Sequence, residues 1–145
     1  MVKRAFVEIE EGQVHYRYKG ARENIPLVML HPGPTSSHSI APLIDLLGGS
    51  RCVIAPDILG MGDSVGPEGI NPAMDYFADA MFRTLDALEV EKCDLWGSMT
   101  GASCGIEMAL QRPDRVRCLY IELIQFYDSE TQHLLEEGHA PLITL

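Results

Sequence analysis

Residues 94–105, DLWGSMTGASCG, hold the side chains whose spacing most directly suggests covalent chemistry. Residues 101–105, GASCG, match the pattern G-x-S-x-G with Ser103 at the centre, whereas residues 97–101, GSMTG, have the same spacing with Met99 at the centre. In this pattern a strand turns sharply into a helix and lifts the central side chain into a pocket, where it can act as a nucleophile. Only one of the two overlapping stretches can lie at such a turn.

The elements around this stretch decide between them. The segments RAFVEIE and QVHYRYKG alternate apolar and polar residues about a turn at Glu11 and Gly12, which predicts an antiparallel hairpin. Four continuous apolar runs follow and predict strands buried on both faces: IPLVMLH, RCVIAPD, KCDLWG and VRCLYIEL. Apolar residues recur at helical spacing over residues 39–47, 73–88 and 102–111. The order predicts an α/β fold, a doubly wound and mostly parallel sheet with an amino-terminal antiparallel hairpin.

Such sheets bind ligands at the carboxyl ends of their strands, so the turns after the strands form the candidate site. The strand KCDLW is expected to end at Trp96, and the sharp turn must follow at once, which favours Met99 as its centre. Ser103 would then be a small packing residue inside the following helix. Because a thioether has no proton to lose, Met99 cannot serve as the usual nucleophile. Ser98 is a weaker candidate, since neighbouring residues on such a turn point in different directions.

Taken together, the turns resemble those of one family. A strand followed by HPGPTSS, a strand followed by DILGMGDS, a strand followed by WGSMTG and a helix, and the segment RPDRVRCLYIE occur in the order of the α/β-hydrolase fold family. The similarity runs from Phe6 to Glu122, and its motifs most closely resemble those of the haloalkane dehalogenase, lactonase and carbon–carbon hydrolase branches. It implies the amino-terminal half of an α/β-hydrolase core over residues 1–125, truncated after the sixth strand, and the start of a cap region or tail over residues 126–145.

The resemblance also implies roles for individual residues. The backbone N–H after the nucleophile position, here that of Thr100, and an N–H near Gly33 in the loop after the third strand would stabilise an oxyanion, and His31 would brace that loop. Dehalogenases hold the halide with asparagine and tryptophan side chains at the positions of Gly33 and Thr100, and they attack with an aspartate at the position of Met99. This sequence has none of these side chains. Haloalkane dehalogenation is therefore the least expected of the family's reactions.

The acidic residues near the turns have both structural and catalytic interpretations. Asp57 and Asp63, in the turn DILGMGDS, are expected to shape that turn. Glu122 resembles the acid at the end of the sixth strand that orients the catalytic histidine in one branch of the family, although alignment from Pro113 places it one residue short. A capping or salt-bridged structural role is the alternative for Glu122. In the family the histidine base follows the last strand, beyond the end of this sequence.

The amino-acid composition limits the kinds of partner that the chain is expected to bind. The net charge of −10 over 145 residues disfavours nucleic acid and anionic membrane surfaces. No run approaches the roughly 18 apolar residues that span a bilayer, and the first residues lack the apolar core of a signal peptide, so a cytoplasmic location is expected. We expect neither a metal nor a cofactor. The four widely spaced cysteines are expected to be reduced thiols in the core: Cys52, Cys93, Cys104 and Cys118.

Three functional interpretations are compatible with these residues. The first is an enzyme of hydrolase lineage that acts on ester, lactone or related bonds, with Met99 placing its standard activity in doubt. The second is an inactive pseudo-hydrolase that binds a small apolar or ester-like molecule. The third is non-hydrolytic acid–base chemistry in the same pocket. The open edge of the sixth strand supports the first interpretation, with this chain as the amino-terminal half of the enzyme, because such an edge predicts a covering partner. That partner would be a complementary carboxyl-terminal half or another copy in a homo-oligomer.

Overall fold

The computed structural model describes residues 1–69 and 72–124. These residues form, in chain order, β1 (Lys3–Ile9), β2 (Gly12–Lys19), β3 (Leu27–Leu30), α1 (Ala41–Leu47), β4 (Val53–Pro56), α2 (Met74–Ala87), β5 (Cys93–Ser98), α3 (Thr100–Gln111) and β6 (Val116–Glu122). This is the predicted order of elements. The expected cap or tail over residues 126–145 lies outside the described residues. None of the helices described has the length and apolar character needed to cross a membrane.

The six strands form one sheet in the order β1-β2-β4-β3-β5-β6. β2 is antiparallel to both β1 and β4, whereas the pairings of β3 with β4, β3 with β5 and β5 with β6 are parallel. This confirms the predicted doubly wound, mostly parallel sheet with an amino-terminal antiparallel hairpin. Because parallel strands end at the same edge of a sheet, the turns after β3, β4, β5 and β6 lie at one edge.

The boundary between β5 and α3 differs from the prediction. β5 extends to Ser98 instead of ending at Trp96, and α3 begins at Thr100 instead of Ala102. The strand is longer than its large apolar residues suggest, because its last residues still pair with β6. Met99 is therefore the only residue between strand and helix.

Two other boundaries are shifted slightly. The hairpin turn lies at Glu10 and Glu11, because Gly12 already pairs with β1. α1 begins at Ala41, because residues 36–41 first form tighter turns with hydrogen bonds between residues i and i+3.

The central strands are buried on both faces, as predicted. Val28 and Leu30 of β3 belong to the core that packs against α2 and α3, represented by Phe82 and Met108. Met29, between them in sequence, belongs to the core on the opposite face, which packs against α1. This alternation places the parallel strands between two helical layers.

β6 is not buried on both faces, which corrects the prediction for this strand. Tyr120 is 60% exposed, and Leu123, directly after the strand, is 70% exposed. β6 lies at an edge of the sheet within the described residues, and its contact with the core around α2 and α3 is made by Val116 and Leu119. An apolar run thus does not distinguish a covered strand from an edge strand.

The cysteines also divide between the buried core and the exposed edge strand β6. Cys52, Cys93 and Cys104 are buried, as predicted, and burial raises the pKa of the Cys93 and Cys104 thiols to about 12. These thiols therefore remain protonated at neutral pH. Cys118 is exposed on β6, so the prediction that it is a core thiol is wrong.

The buried carboxylate of Asp57, directly after β4, joins three parts of the chain. Its Oδ1 accepts the Ser37 N–H at 2.6 Å, and its Oδ2 accepts the Asp63 N–H at 3.1 Å and His15 Nδ1–H at 2.8 Å. Gly62, with φ of +58°, passes so close that a Cβ on it would lie 2.1 Å from Asp57 Oδ2. The predicted structural role of Asp57 and Asp63 agrees with this geometry.

A cation completes the network around Asp57. Arg4 Nε donates to His15 Nε2 at 3.1 Å, and the same guanidinium forms an ion pair with Asp63. The ligand atoms of His15, Asp57 and Asp63 lie within 4.8 Å of one another, which is close enough for a metal ion. Arg4 contacts both His15 and Asp63, and His15 donates to Asp57, so these ligand atoms are already engaged by the chain's own donors.

Burial alone would raise the pKa of the Asp57 carboxyl, but hydrogen bonds from Ser37, Asp63 and His15 outweigh it and hold the pKa below its ordinary value of 3.8. A carboxyl with a depressed folded-state pKa stabilises the fold at pH values above the unfolded-state pKa. This contribution is lost as the pH falls through the folded-state pKa.

Replacing Asp57 with asparagine removes the charge and keeps the size. For Asp57→Asn we expect the free energy of unfolding at pH 7 to fall by about 3 kcal/mol, since one amide oxygen cannot accept three donors in a buried position. The difference from the wild type should shrink as the pH falls below 3.8 and through the lower pKa of the folded-state carboxyl, where the native carboxylate also becomes protonated. Urea unfolding at pH 7 and at acidic pH, followed by the fluorescence of Trp96, measures both effects.

Asp63→Asn is the matched control in the same turn. The Asp63 side chain is 53% exposed, and its ion pair with Arg4 lies at the surface. We expect this variant to remain within about 1 kcal/mol of the wild type. Equal losses in the two variants would show that the charge of the turn, and not the buried hydrogen bonds of Asp57, stabilises the protein.

Candidate active site

Met99 makes the turn from β5 into α3 in a strained backbone conformation. Its φ of +51° and ψ of −115° fall outside the regions that non-glycine residues ordinarily occupy. The turn is supported on both sides: the Met99 N–H donates to the Glu122 carbonyl at 3.3 Å, and the Met99 carbonyl accepts the N–H groups of Ala102 and Ser103. Such conformations persist only where surrounding contacts impose them, and they are concentrated at functional sites.

The glycines on either side of Met99 are required by close backbone packing. A Cβ on Gly97 would lie 2.3 Å from the Gly101 carbonyl oxygen, and a Cβ on Gly101 would lie 2.1 Å from the Leu30 carbonyl oxygen. Neither position has room for a side chain. Gly101 allows α3 to approach the end of β3, and Gly97 allows the first turn of α3 to pack against the end of β5.

In the other glycine-flanked stretch, residues 101–105, the second glycine is not packed against backbone in this way. A Cβ on Gly105 would lie 3.3 Å from Leu119 Cδ1, a tight contact with the end of a side chain rather than with backbone. Ser103 lies within α3 and is half-buried. The backbone geometry therefore distinguishes the two stretches, and the sharp turn belongs to residues 97–101.

The loop after β3 meets the start of α3 at Gly33. A Cβ on Gly33 would lie 2.6 Å from Thr100 Oγ1 and 3.2 Å from Met61 Cε, so these three residues are neighbours. Neither the Gly33 nor the Thr100 N–H makes a backbone hydrogen bond with the described part of the chain. The first amides of a helix carry partial positive charge, and donors on two facing segments can bind one anionic oxygen.

Met61 is a neighbour of Gly33 that the sequence alone does not predict. The turn after β4 brings it there through two glycines with positive φ, Gly60 at +77° and Gly62 at +58°. The glycines on either side of Met61 in LGMGDS were the available signal, because they indicate a tight turn at a strand end.

His31 joins the loops after β3 and β4. Its ring is fully buried, its Nε2 accepts the Ile58 N–H at 3.0 Å, and its Nδ1 lies 3.0 Å from the Pro32 carbonyl oxygen. Because a backbone N–H can only donate, Nε2 is unprotonated and Nδ1 carries the hydrogen. Burial lowers the pKa of His31 and so favours this neutral form. Its position fits the predicted bracing of the loop and leaves no ring nitrogen free to take a proton from a ligand.

Ser98 and Glu122 lie side by side at the ends of β5 and β6. Ser98 is buried, whereas Glu122 is exposed. Among the described residues, the Glu122 carboxylate has no ion pair, so the expected salt-bridged role has no support within this part of the chain. The orienting role of Glu122 and the weaker candidacy of Ser98 remain predictions.

The described histidines do not include an evident general base for Met99 or Ser98. His15 and His31 are buried, and each engages both ring nitrogens. His38 is exposed in the loop before α1. His133 and His139 lie outside the described residues.

Comparisons with known proteins agree with this arrangement. Residues 25–137 match a family model described as the alpha/beta hydrolase fold. The chain is 38% identical over 99 residues to a 2-hydroxymuconate semialdehyde hydrolase of Pseudomonas sp. strain CF600, covering 66% of this chain and 35% of that protein. It is 28% identical over 120 residues to a haloalkane dehalogenase of Mycobacterium tuberculosis, covering 83% of this chain and 41% of that protein.

A solved structure gives the same result. An N-acyl homoserine lactonase complexed with N-hexanoyl homoserine superposes with a TM-score of 0.76 and 30% identity, covering 86% of this chain and 46% of that chain. The chain thus spans less than half the length of these similar proteins. The family model nevertheless matches most of the chain, over the same strands and turns that form the candidate site, and the chain belongs to the alpha/beta hydrolase fold family.

Proposed function

We propose that the chain binds a small molecule bearing an ester, lactone or related carbonyl group at the turn between β5 and α3, without the covalent catalysis that this turn performs in hydrolases. One observation supports the proposal above all others: the strained residue of the turn is Met99, and the amides of Thr100 and Gly33 lie on facing segments beside it. This arrangement supports binding of a carbonyl oxygen by the two amides, whereas Met99 supplies no attacking group.

The proposed binding of a carbonyl group rests on the electrostatics of the first amides of α3. α3 has 12 residues, and its first amides point toward the edge of the sheet where the turns meet. Two N–H donors there can stabilise partial negative charge on a carbonyl oxygen or full charge on a carboxylate. The hydrolase and the lactonase reported above act on or bind carbonyl compounds, which supports this ligand class.

The catalytic half rests on side-chain chemistry. A thioether has no proton to transfer and no anionic form, so Met99 cannot form an acyl intermediate through the usual deprotonated nucleophile. The hydrolase lineage of the chain is established by its family, and we propose that position 99 converts the site from turnover to binding.

Hexanoate tests the binding half directly, because its carboxylate carries the negative charge that the two amides would stabilise. In spectra of the ¹⁵N-labelled chain we expect saturable amide shifts at Gly33, Thr100 and Gly101, with a dissociation constant of about 1 mM for so small a ligand. The primary alcohol 1-hexanol has the same apolar chain without the anionic oxygens and should bind about tenfold more weakly.

Shifts confined to other parts of the chain would remove the site from the turn between β5 and α3. Equal binding of hexanoate and 1-hexanol would show that apolar contact alone holds the ligand. Either outcome would overturn the role proposed for the two amides.

A cysteine at position 99 tests the turn itself, since a thiolate is nucleophilic without a neighbouring base. In a Cys118→Ser background, where the native exposed thiol is absent, Met99→Cys should react with p-nitrophenyl acetate. The thiolate attacks the carbonyl carbon, p-nitrophenolate leaves, and the acetyl group remains as a thioester. The start of a helix lowers the pKa of a thiol, which favours the reaction, and intact-mass spectrometry measures the acetylation rate.

Ser103→Cys in the same background is the matched control, three residues further along α3 than the first helical residue. We expect it to react at least about tenfold more slowly than Met99→Cys, because it lies one turn inside the helix, where its own N–H already bonds to the Met99 carbonyl and cannot stabilise a thiolate. Faster acetylation at position 103 would place the reactive turn in the second glycine-flanked stretch instead.

We also propose that β6 pairs with a further strand from a complementary carboxyl-terminal half. Tyr120 and Leu123 expose apolar surface at this edge, and the similar proteins have more than half of their length outside the match. Exposed apolar edge strands are ordinarily covered.

For the 145-residue chain alone we expect a monomer in sedimentation and rapid hydrogen exchange at the outward-facing amides of β6, because no strand among the described residues pairs with its outer edge. A concentration-dependent dimer that protects these amides would identify a second copy as the partner. Protection in a monomer would mean that the chain covers its own edge, and either result would contradict the proposed complementary half.

A further inference from the structure

The hydroxyl of Thr100 occupies the space that a side chain on Gly33 would fill. A Cβ on Gly33 would lie 2.6 Å from Thr100 Oγ1 and 3.2 Å from Thr100 Cβ. The hydroxyl therefore lies between the loop after β3 and the first turn of α3, the two segments that carry the candidate amide donors. The bare Cα of Gly33 makes this position possible.

This hydroxyl also has no hydrogen-bond partner among the described residues. Within the described residues no hydrogen bond to Thr100 Oγ1 is formed, although the neighbouring hydroxyls of Thr35 and Ser39 bond to each other and to backbone carbonyls. Thr100 is half-buried, so its hydroxyl is not sealed in the core. A hydroxyl both donates and accepts, and one without a protein partner beside two amide donors is suited to a polar ligand atom.

We propose that Thr100 Oγ1 donates a hydrogen bond to the second oxygen of the bound carboxyl or ester group, so that the site selects ligands with two oxygens on one carbon. The inference rests on the proposed binding function. The amides of Gly33 and Thr100 hold one oxygen, and the hydroxyl holds the other. A ketone has no second oxygen and leaves the hydroxyl without a ligand partner.

The discrimination follows from the general behaviour of hydrogen-bonding sites. A site with a donor for a particular ligand atom loses affinity when that atom is absent, because the donor is left unpaired when water is excluded. Thr100 is in this sense a specificity-determining residue, and the ligand class it favours is carboxylates, esters and lactones over ketones and aldehydes.

Two ligands of similar size and apolar content test the inference: methyl hexanoate, with two oxygens, and 2-octanone, with one. Titrations of the ¹⁵N-labelled chain should show tighter binding of the ester by the wild type. Thr100→Val, which keeps the shape and removes the hydroxyl, should lose about five- to tenfold in affinity for methyl hexanoate and retain its affinity for 2-octanone. Thr100→Ser, which restores the hydroxyl, should recover the preference for the ester.

Gly33→Ala provides an independent arm. Its Cβ would collide with Thr100 Oγ1 and turn the hydroxyl away, so this variant should lose the same preference for the ester while residue 100 is unchanged. Circular dichroism of each variant establishes that the fold is retained.

The possible outcomes separate this inference from the function on which it depends. If the wild type binds neither ligand nor hexanoate at the turn, the proposed binding function fails. If the wild type binds both ligands and Thr100→Val weakens them equally, the function stands and Thr100 acts only through packing, which overturns the inference. An unchanged ester preference in Thr100→Val overturns it as well.

Discussion

Backbone packing between the end of β3 and the first turn of α3 is the contact on which the candidate site depends. The Leu30 carbonyl oxygen lies where a Cβ of Gly101 would be, and the Gly101 carbonyl oxygen lies where a Cβ of Gly97 would be. These contacts fix the position of α3 and force the residue between strand and helix into a positive φ. Because backbone atoms alone make the turn, its shape does not depend on the chemistry of the side chain at position 99.

Two buried polar residues connect the neighbouring loops to this turn. His31 bonds the loop after β3 to the start of the loop after β4, and Asp57 bonds that second loop to the hairpin and to Ser37. Loops without such bonds would sample many conformations at the sheet edge. The hydrogen bonds instead hold Gly33 and Met61 beside the first residue of α3.

The order of elements, the parallel sheet and its hairpin were predictable from the sequence, because periodicity reports burial directly. The choice of Met99 over Ser103 as the centre of the turn followed from strand length and glycine spacing, even though the predicted end of β5 was wrong. The open edge of β6 was predicted, but the exposure of its side chains was not, since an apolar strand at an edge has the same composition as a central one. The contact of Met61 with Gly33 depends on loop dihedral angles that residue types do not specify.

The chemistry of the site also depends on contacts between loops that residue types do not specify. The sequence indicates that a hydroxyl follows Met99, but it does not show that this hydroxyl lies against Gly33. Likewise, the two ring bonds that keep His31 from acting as a base depend on the path of the chain at Ile58. Roles that rest on a single residue type were therefore easier to predict than roles that rest on a contact between loops.

The contact between Gly33 and Thr100 has a consequence for how relatives of this chain can diverge. A side chain at position 33 and the hydroxyl at position 100 compete for one volume, so position 33 cannot gain a side chain while Thr100 keeps its present conformation. Among homologues that retain this backbone, we expect the two positions to covary, with a larger residue at 33 accompanied by a different residue at 100. A path that introduces a side chain at position 33 would then change position 100 first, because the reverse order creates the collision with the Thr100 hydroxyl.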